Sequence, residues 1–174
     1  MEYRSVHRES IMRNNSHRPS ALIGQRFGLH GMNCTITTAC ASATQAIGIG
    51  YRAVQRGDAD LMVAGGADSM INPVGLVFFV LLSAAATSSE SPQTLCRPFD
   101  RKRAGLVMGE GAGIAILEEK SHAVSRGAKI YCEVAGYGSS MDAYQVTAPH
   151  PQGRGAEKSM RAALNDAGLN NHDI

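Results

Sequence analysis

The chain has 174 residues, of which 44% are hydrophobic and 18% are charged, and its formal net charge is +2. This length is enough for one domain with a sizeable core, and so small a charge does not argue for nucleic-acid binding. No apolar run approaches the roughly 20 residues that span a bilayer, and no export signal opens the chain. We therefore expect a globular, cytoplasmic protein with neither a membrane nor a nucleic-acid partner.

The cysteines are too scattered to suggest a metal site. The chain has four of them, Cys34, Cys40, Cys96 and Cys132. They form no C-x-x-C pair and lie near no histidine at ligand spacing, so zinc is not expected. Without an export signal, reduced thiols are the expected state.

The first clear elements surround Cys40. Residues 36–39 are rich in β-branched side chains and predict a strand that ends at the cysteine. From Ala41 the apolar residues follow helical spacing, and Gly57 predicts the end of that helix. Cys40 is therefore predicted to lie where a strand gives way to a helix.

Further strands and helices alternate along the rest of the chain. Buried strands are predicted at residues 61–64, stopped by two glycines, and at 113–119, and a longer alternating strand at 129–138. Helices are predicted at 120–126 and 155–167. This order predicts an α/β layered domain. Because the chain starts irregularly and stops where another strand would follow, we expect it to be part of a longer sequence.

Two glycine-rich or apolar stretches have structural interpretations. The run at 74–86 predicts buried core or a pocket wall, since it is too short to cross a bilayer. Residues 108–113 (MGEGAG) lack the spacing of a dinucleotide fingerprint and predict a tight glycine turn.

The residues alone allow two interpretations of Cys40. At a helix start, backbone N–H groups and the helix dipole favour a thiolate and can hold an oxyanion on a thioester carbonyl. The exposed turn would then present the side chain as a nucleophile elbow does. The alternative is a buried small hydrophobic residue, the commonest role of a free cysteine.

Five stretches follow one another along the chain: TITTACASATQAIG, RGDADLMVAGGAD, CRPFDRKRAGLVMGEGAGIAILEE, RGAKIYCEVAGYGSSMDAY and TAPHPQG. Their order and spacing resemble those of the β-ketoacyl-acyl carrier protein synthases. The resemblance implies the thiolase fold, an α/β layered sandwich of two similar halves (α-β-α-β-α), of which this chain would carry part. Residues 1–19 match poorly, 20–128 would be the later part of the N-terminal half, and 129–174 the start of the C-terminal half.

The resemblance also implies roles for individual residues. Cys40 matches the cysteine that takes the acyl chain, and Phe79 an aromatic residue lining the acyl pocket. Asp142 to Pro149 matches a mobile loop beside the pantetheine tunnel, with Thr147 a contact to that arm. Acyl carrier protein and a second copy of the full-length protein are the implied partners. No metal and no cofactor are implied, because the substrates are carried on phosphopantetheine.

The implied activity is a decarboxylative Claisen condensation of malonyl-acyl carrier protein with an acyl group on Cys40, in fatty-acid elongation. A basic carrier-protein contact of some relatives is replaced here by Ser83. The sequence has no HGT motif for the family's two catalytic histidines, so we expect the chain itself to be inactive in condensation. The alternatives are a polyketide ketosynthase, a non-catalytic chain-length-factor-like acyl-binding subunit, and an inert structural domain.

Overall fold

The computed structural model of the protein describes residues 10, 13, 15–88 and 90–174. Its helices are α1 (Arg18–Phe27), α2 (Ser42–Gln55), α3 (Pro73–Leu81), α4 (Lys120–Ser125) and α5 (Arg154–Ala167), with 3-10 turns at Ala39–Ala41 and Pro92–Thr94. Its strands are β1 (Leu61–Ser69) and β2 (Glu110–Glu118), which are hydrogen-bonded neighbours in one sheet. The described residues therefore mix helices and strands, as predicted.

The helices around Cys40 and at the end of the chain form close to their predicted bounds. After α2, Gly57 takes a left-handed φ of 74° and its N–H donates to the Val54 carbonyl at 3.0 Å. After α5, Gly168 takes a φ of 67°. Glycine adopts this conformation without the steric cost of a Cβ, which explains why both helices end there.

The two strands run antiparallel. At one end the Glu119 N–H donates to the Asp60 carbonyl at 3.0 Å, and at the other the Ser69 hydroxyl donates to the Glu110 carboxylate at 2.9 Å. The first residues of β1 therefore lie beside the last residues of β2.

The glycines in these strands have a different role from the predicted one. Gly65 does not stop β1, which continues to Ser69, and residues from Glu110 onward belong to β2 rather than to a tight turn. A side chain at Gly65 would overlap the Gly113 carbonyl on the neighbouring strand. Glycine therefore permits a close approach between the strands at this point.

The strands predicted at 36–39 and 129–138 are not formed. Residues 32–38 and 128–143 have no regular secondary structure. In the second segment, backbone groups bind side chains instead: the Tyr137 N–H donates to Asp166 at 2.8 Å, and the Ala135 carbonyl accepts from the Tyr51 hydroxyl at 3.2 Å. A segment with an alternating pattern forms a β-ladder only when a neighbouring strand supplies hydrogen-bond partners for its backbone. Among the described residues, no strand pairs with either segment.

The chain divides into two compact units, each described by itself. The first comprises the described residues of Met1–Ala64 together with Ala115–Ile174, and the second is Gly65–Ile114. In the first, a side chain at Gly48 of α2 would overlap the Tyr137 ring, and one at Gly136 would overlap the backbone of α5. The segment around Tyr137 therefore packs closely on both helices.

Burial is lower than the sequence predicted. The buried hydrophobic residues of the described chain are Ala53, Ala64 and Ala123. The first part of the predicted buried run at 74–86 lies in α3, in which Gly75 is the buried residue. Ile114 and Ile116 of β2 are more than half exposed. The predictions of buried strands and a buried run were therefore wrong for this chain, because the described residues supply no layer over these faces.

Candidate active site around Cys40

Cys40 lies in the middle of the 3-10 turn that leads into α2, and its side chain is exposed. The preceding residue, Ala39, has a φ of 48°. A residue with a Cβ pays about 1–2 kcal/mol for this left-handed conformation. The backbone is therefore strained immediately before the cysteine, a condition that is common where a side chain must be presented in one geometry.

Three side chains and the turn's own backbone hold this conformation. The Thr38 N–H donates to the Ser42 hydroxyl oxygen at 2.7 Å, and the Ser42 hydroxyl donates to the Ala39 carbonyl at 2.8 Å. The Thr38 hydroxyl donates to the Gln45 side-chain carbonyl at 2.9 Å. Thr38, Ser42 and Gln45 are not among the site residues predicted from the sequence. The available signal was the spacing of Ser42 and Gln45, three residues apart on the predicted helix, whereas Thr38 precedes that helix.

The backbone donors at the turn are only partly occupied. The Ala41 N–H donates to the Thr38 carbonyl at 3.1 Å, and the Ser42 N–H donates to the Ala39 carbonyl. Among the described residues, the Cys40 N–H donates to no acceptor. The Cys40 N–H is therefore one of the backbone donors at this turn that a ligand could use.

Exposure does not single out Cys40, since all four cysteines are free and exposed. Local structure does. Cys34 and Cys132 lie in segments without regular structure, and Cys96 lies beyond the second 3-10 turn. Because Cys40 is exposed, the interpretation of it as a buried hydrophobic residue does not fit this structure.

The segment that begins at Asp142 forms a closed loop. One carboxylate oxygen of Asp142 accepts from the Gly155 N–H at 2.9 Å, and the other accepts from the His150 N–H at 3.2 Å. The bond to His150 closes the loop, and the bond to Gly155 attaches the loop to the first turn of α5. Between these ties, Thr147 and Pro149 are exposed.

Phe79 lies in the second unit, on α3, and its side chain is half-buried. Its carbonyl accepts from the Ala84 and Ala85 N–H groups at 2.9 and 3.1 Å as the chain leaves the helix. Ser83 in this turn has a left-handed φ of 53°.

Charged groups of the first unit form ion pairs away from the turn. Arg126 donates two hydrogen bonds of 2.6 Å to Glu118, and these lower the pKa of Glu118 to about 2, against 4.5 for an ordinary glutamate. The Tyr137 N–H lowers the pKa of Asp166, which also pairs with Arg52 of α2 at 2.7 Å. In both cases a hydrogen-bond donor stabilises the ionised carboxylate, which lowers its pKa.

The described part of the chain has neither a metal-ligand cluster nor a membrane-spanning helix. The described chain contains no group of three or more His, Cys, Asp or Glu side chains placed to share a metal ion. None of its described helices combines the length and the apolar character needed to cross a membrane.

Family profiles match most of the chain. The profile described as beta-ketoacyl synthase, N-terminal domain, matches residues 2–123, and the one described as beta-ketoacyl synthase, C-terminal domain, matches residues 131–174. A curated relative from Vibrio cholerae, 3-oxoacyl-(acyl-carrier-protein) synthase 2, is 47% identical over 147 residues. That alignment covers 84% of this chain and 36% of the relative, so the chain spans about a third of its length.

Solved structures show the same similarity in three dimensions. A type II PKS acyl-carrier protein in complex with its ketosynthase, bound to the hexaketide, matches with a TM-score of 0.94 at 31% identity, covering 99% of this chain and 42% of that one. The ishigamide ketosynthase/chain length factor matches with a TM-score of 0.89 at 34% identity, covering 98% and 40%.

Proposed function

Because the chain belongs to the beta-ketoacyl synthase family, we propose that Cys40 is the nucleophile of a 3-oxoacyl-(acyl-carrier-protein) synthase of fatty-acid elongation. One observation carries the proposal: Cys40 is exposed on a strained turn at the start of α2, with its own N–H free of any acceptor among the described residues. The sulfur in that position can attack a carbonyl carbon, and the Cys40 N–H can donate a hydrogen bond to the oxyanion that forms.

The proposed step is an acyl transfer between two sulfurs. The Cys40 thiolate attacks the carbonyl carbon of an acyl thioester, and the carbonyl π electrons move to oxygen, where the Cys40 N–H stabilises them. The tetrahedral intermediate then collapses. Its bond to the original sulfur breaks, the leaving thiolate takes a proton from water, and the acyl group remains on Cys40 as a new thioester. The step needs no cofactor or metal.

The complete reaction of the proposed enzyme is a decarboxylative Claisen condensation. Malonyl-acyl carrier protein loses carbon dioxide, and the resulting carbanion attacks the acyl group on Cys40 to give a 3-oxoacyl product two carbons longer. In the family that half of the reaction uses two catalytic histidines; this sequence contains no HGT motif, and none of its six histidines stands at a matching position. For the residues of this chain we therefore propose only the acyl-transfer half of the reaction.

Further roles are proposed by position in the family. Phe79 would line the acyl pocket, and the loop closed by Asp142, with Thr147 and Pro149 exposed on it, would contact the pantetheine arm. Acyl carrier protein would deliver the substrate, and the full-length protein would form a homodimer. The observed tie between Asp142 and Gly155 supports the loop assignment, because it leaves the intervening residues free to meet a ligand.

The experiment is a transfer assay with the purified chain. Acyl-acyl carrier protein is mixed with the wild type, and intact mass spectrometry follows the gain of one acyl mass on the chain. The wild type is expected to gain one acyl group, and Cys40→Ala none. Cys34→Ala is the matched control, since Cys34 is also exposed, and it should behave as the wild type does. Equal acylation of wild type and Cys40→Ala would contradict the proposal.

A polyketide ketosynthase is a second candidate, because the ketosynthase with the TM-score of 0.94 belongs to a type II PKS complex. The same assay separates the two when a saturated acyl chain competes with a polyketone-bearing one. A fatty-acid enzyme should favour the saturated chain. A non-catalytic acyl-binding subunit is disfavoured, because Cys40 occupies the nucleophile position.

A further inference from the structure

We infer that Ser42 is a positioning residue for Cys40, holding the strained turn in the conformation from which the thiol accepts an acyl group. This inference rests on the proposed function of Cys40 and adds residues that the family resemblance did not assign. Ser42 acts through the backbone that precedes the cysteine rather than on the reacting atoms.

The Ser42 hydroxyl bridges the turn. It accepts from the Thr38 N–H at 2.7 Å and donates to the Ala39 carbonyl at 2.8 Å. Both bonded groups belong to residues that precede Cys40, so one side chain holds the peptide unit before Thr38 and the unit that joins Ala39 to Cys40. The Ser42 N–H also donates to the Ala39 carbonyl, so that carbonyl is held by two donors of one residue.

The two hydrogen bonds of the Ser42 hydroxyl hold the backbone at its strained residue, Ala39. Ala39 has a φ of 48°, and a residue with a Cβ would otherwise favour the right-handed region. A strained conformation persists only where its surroundings hold it. If the hydroxyl is removed, Ala39 is free to relax, and the Ala39–Cys40 peptide unit, which carries the Cys40 N–H, can rotate away from its position in this structure.

Gln45 supports the same turn from one helical turn further on. Its side-chain carbonyl accepts from the Thr38 hydroxyl at 2.9 Å, and its side chain is half-buried on α2. Thr38 is thus held at its N–H by Ser42 and at its hydroxyl by Gln45. These contacts link the turn to the body of the helix.

The test compares two reactions at the same sulfur. Alkylation of Cys40 by iodoacetamide needs an accessible thiol. Acyl transfer also needs the Cys40 N–H to lie within hydrogen-bonding distance of the substrate oxygen while the sulfur attacks the carbonyl carbon. In Ser42→Ala, acyl transfer from acyl-N-acetylcysteamine should fall about fivefold, the factor associated with one ordinary hydrogen bond. Alkylation should stay within about twofold of the wild type, measured against Cys34 in the same sample. A merely structural role would lower both rates alike.

Rescue and control variants complete the design. Ser42→Thr retains the hydroxyl and should restore acyl transfer to within about twofold of the wild type. Gln45→Ala should lower acyl transfer, and Gln45→Glu, which keeps an acceptor oxygen for Thr38, should not. Ser125→Ala removes a comparable serine bond to a helix carbonyl, of 2.7 Å, far along the sequence in α4, and should change neither rate.

The outcomes separate this inference from the proposed function. A wild type that takes up no acyl group at Cys40 contradicts the proposed function and this inference with it. An active wild type matched by Ser42→Ala in acyl transfer contradicts this inference alone, as does a parallel fall in alkylation and acyl transfer.

Discussion

At the scale of single residues, Cys40 is distinguished by its backbone rather than by its exposure. All four thiols are exposed, but Cys40 alone among them follows a left-handed alanine at the start of a long helix. The sequence predicted the start of the helix, because helical spacing begins directly after Cys40, but the strand predicted before it is not formed. It could not predict the left-handed conformation of Ala39, because nothing in an alanine favours it.

Glu118 links charge to stability at the same scale. Its side chain is 8% exposed, and the hydrogen bonds from Arg126 lower its pKa to about 2. A lowered pKa means that the ionised form stabilises the fold above pH 4.5, and that this contribution is lost as the pH falls towards 2. Glu118→Gln should therefore unfold at a lower urea concentration than the wild type at neutral pH, and the difference should shrink across that window.

The matched control for Glu118 is Glu133→Gln. Glu133 pairs with Lys120 at 3.3 Å, and both side chains are more than two-thirds exposed. Exposed pairs contribute little to stability, so its urea midpoint should follow the wild type at every pH. A difference between Glu118→Gln and the wild type that stays constant down to about pH 2 would contradict the assignment.

At the scale of elements, the sequence predicted helices better than strands. The spacing within α2 and α5 is local, and a glycine marks the end of each, so both could be read from neighbouring residues. The segments at 36–39 and 129–138 alternate as strands do, but a strand also requires a partner, and the pattern does not contain one. Within β1, Gly65 was interpreted as a stop because the facing carbonyl of Gly113 could not be foreseen.

Gly168 provides a test of the helix ends. Its φ of 67° and the bond from the Leu169 N–H to the Leu164 carbonyl at 2.9 Å close α5. Gly168→Ala should lower the free energy of unfolding by about 1 kcal/mol, because alanine is strained in the left-handed region. Gly31→Ala is the control, since Gly31 has an ordinary φ and open space around it. Equal unfolding free energies for the two variants would show that the cap contributes nothing.

At the scale of the whole molecule, the family and the α/β, thiolase-like ketosynthase fold are confirmed, by profiles over residues 2–123 and 131–174 and by a TM-score of 0.94. The domain boundaries inferred from the resemblance stay predictions, as do the roles of the individual site residues. Burial could not be predicted correctly from the sequence. Apolar content indicates which side chains favour burial, but it does not indicate whether the described residues include other elements that cover them.

The exposed apolar residues predict self-association. Helix α3 exposes most of its large side chains, with Val77 52% and Phe78 56% exposed. Contiguous apolar surface of this kind favours contact with another surface. The chain should associate with rising concentration in sedimentation velocity, and Val77→Lys should weaken this several-fold. Val124→Lys, at an exposed valine on α4, is the control and should not. A wild type that stays monomeric throughout would contradict the prediction.

The site of the acyl group tests the central claim most directly. The wild-type chain is incubated with a limiting amount of acyl-acyl carrier protein, digested at mildly acidic pH to preserve thioesters, and sequenced by tandem mass spectrometry. All four thiols are free and exposed, so they compete within one sample. We predict that the acyl group is found on the peptide containing Cys40 and absent from those containing Cys34, Cys96 and Cys132. An acyl group distributed over all four peptides, or placed mainly on another cysteine, would contradict the assignment of Cys40 as the nucleophile.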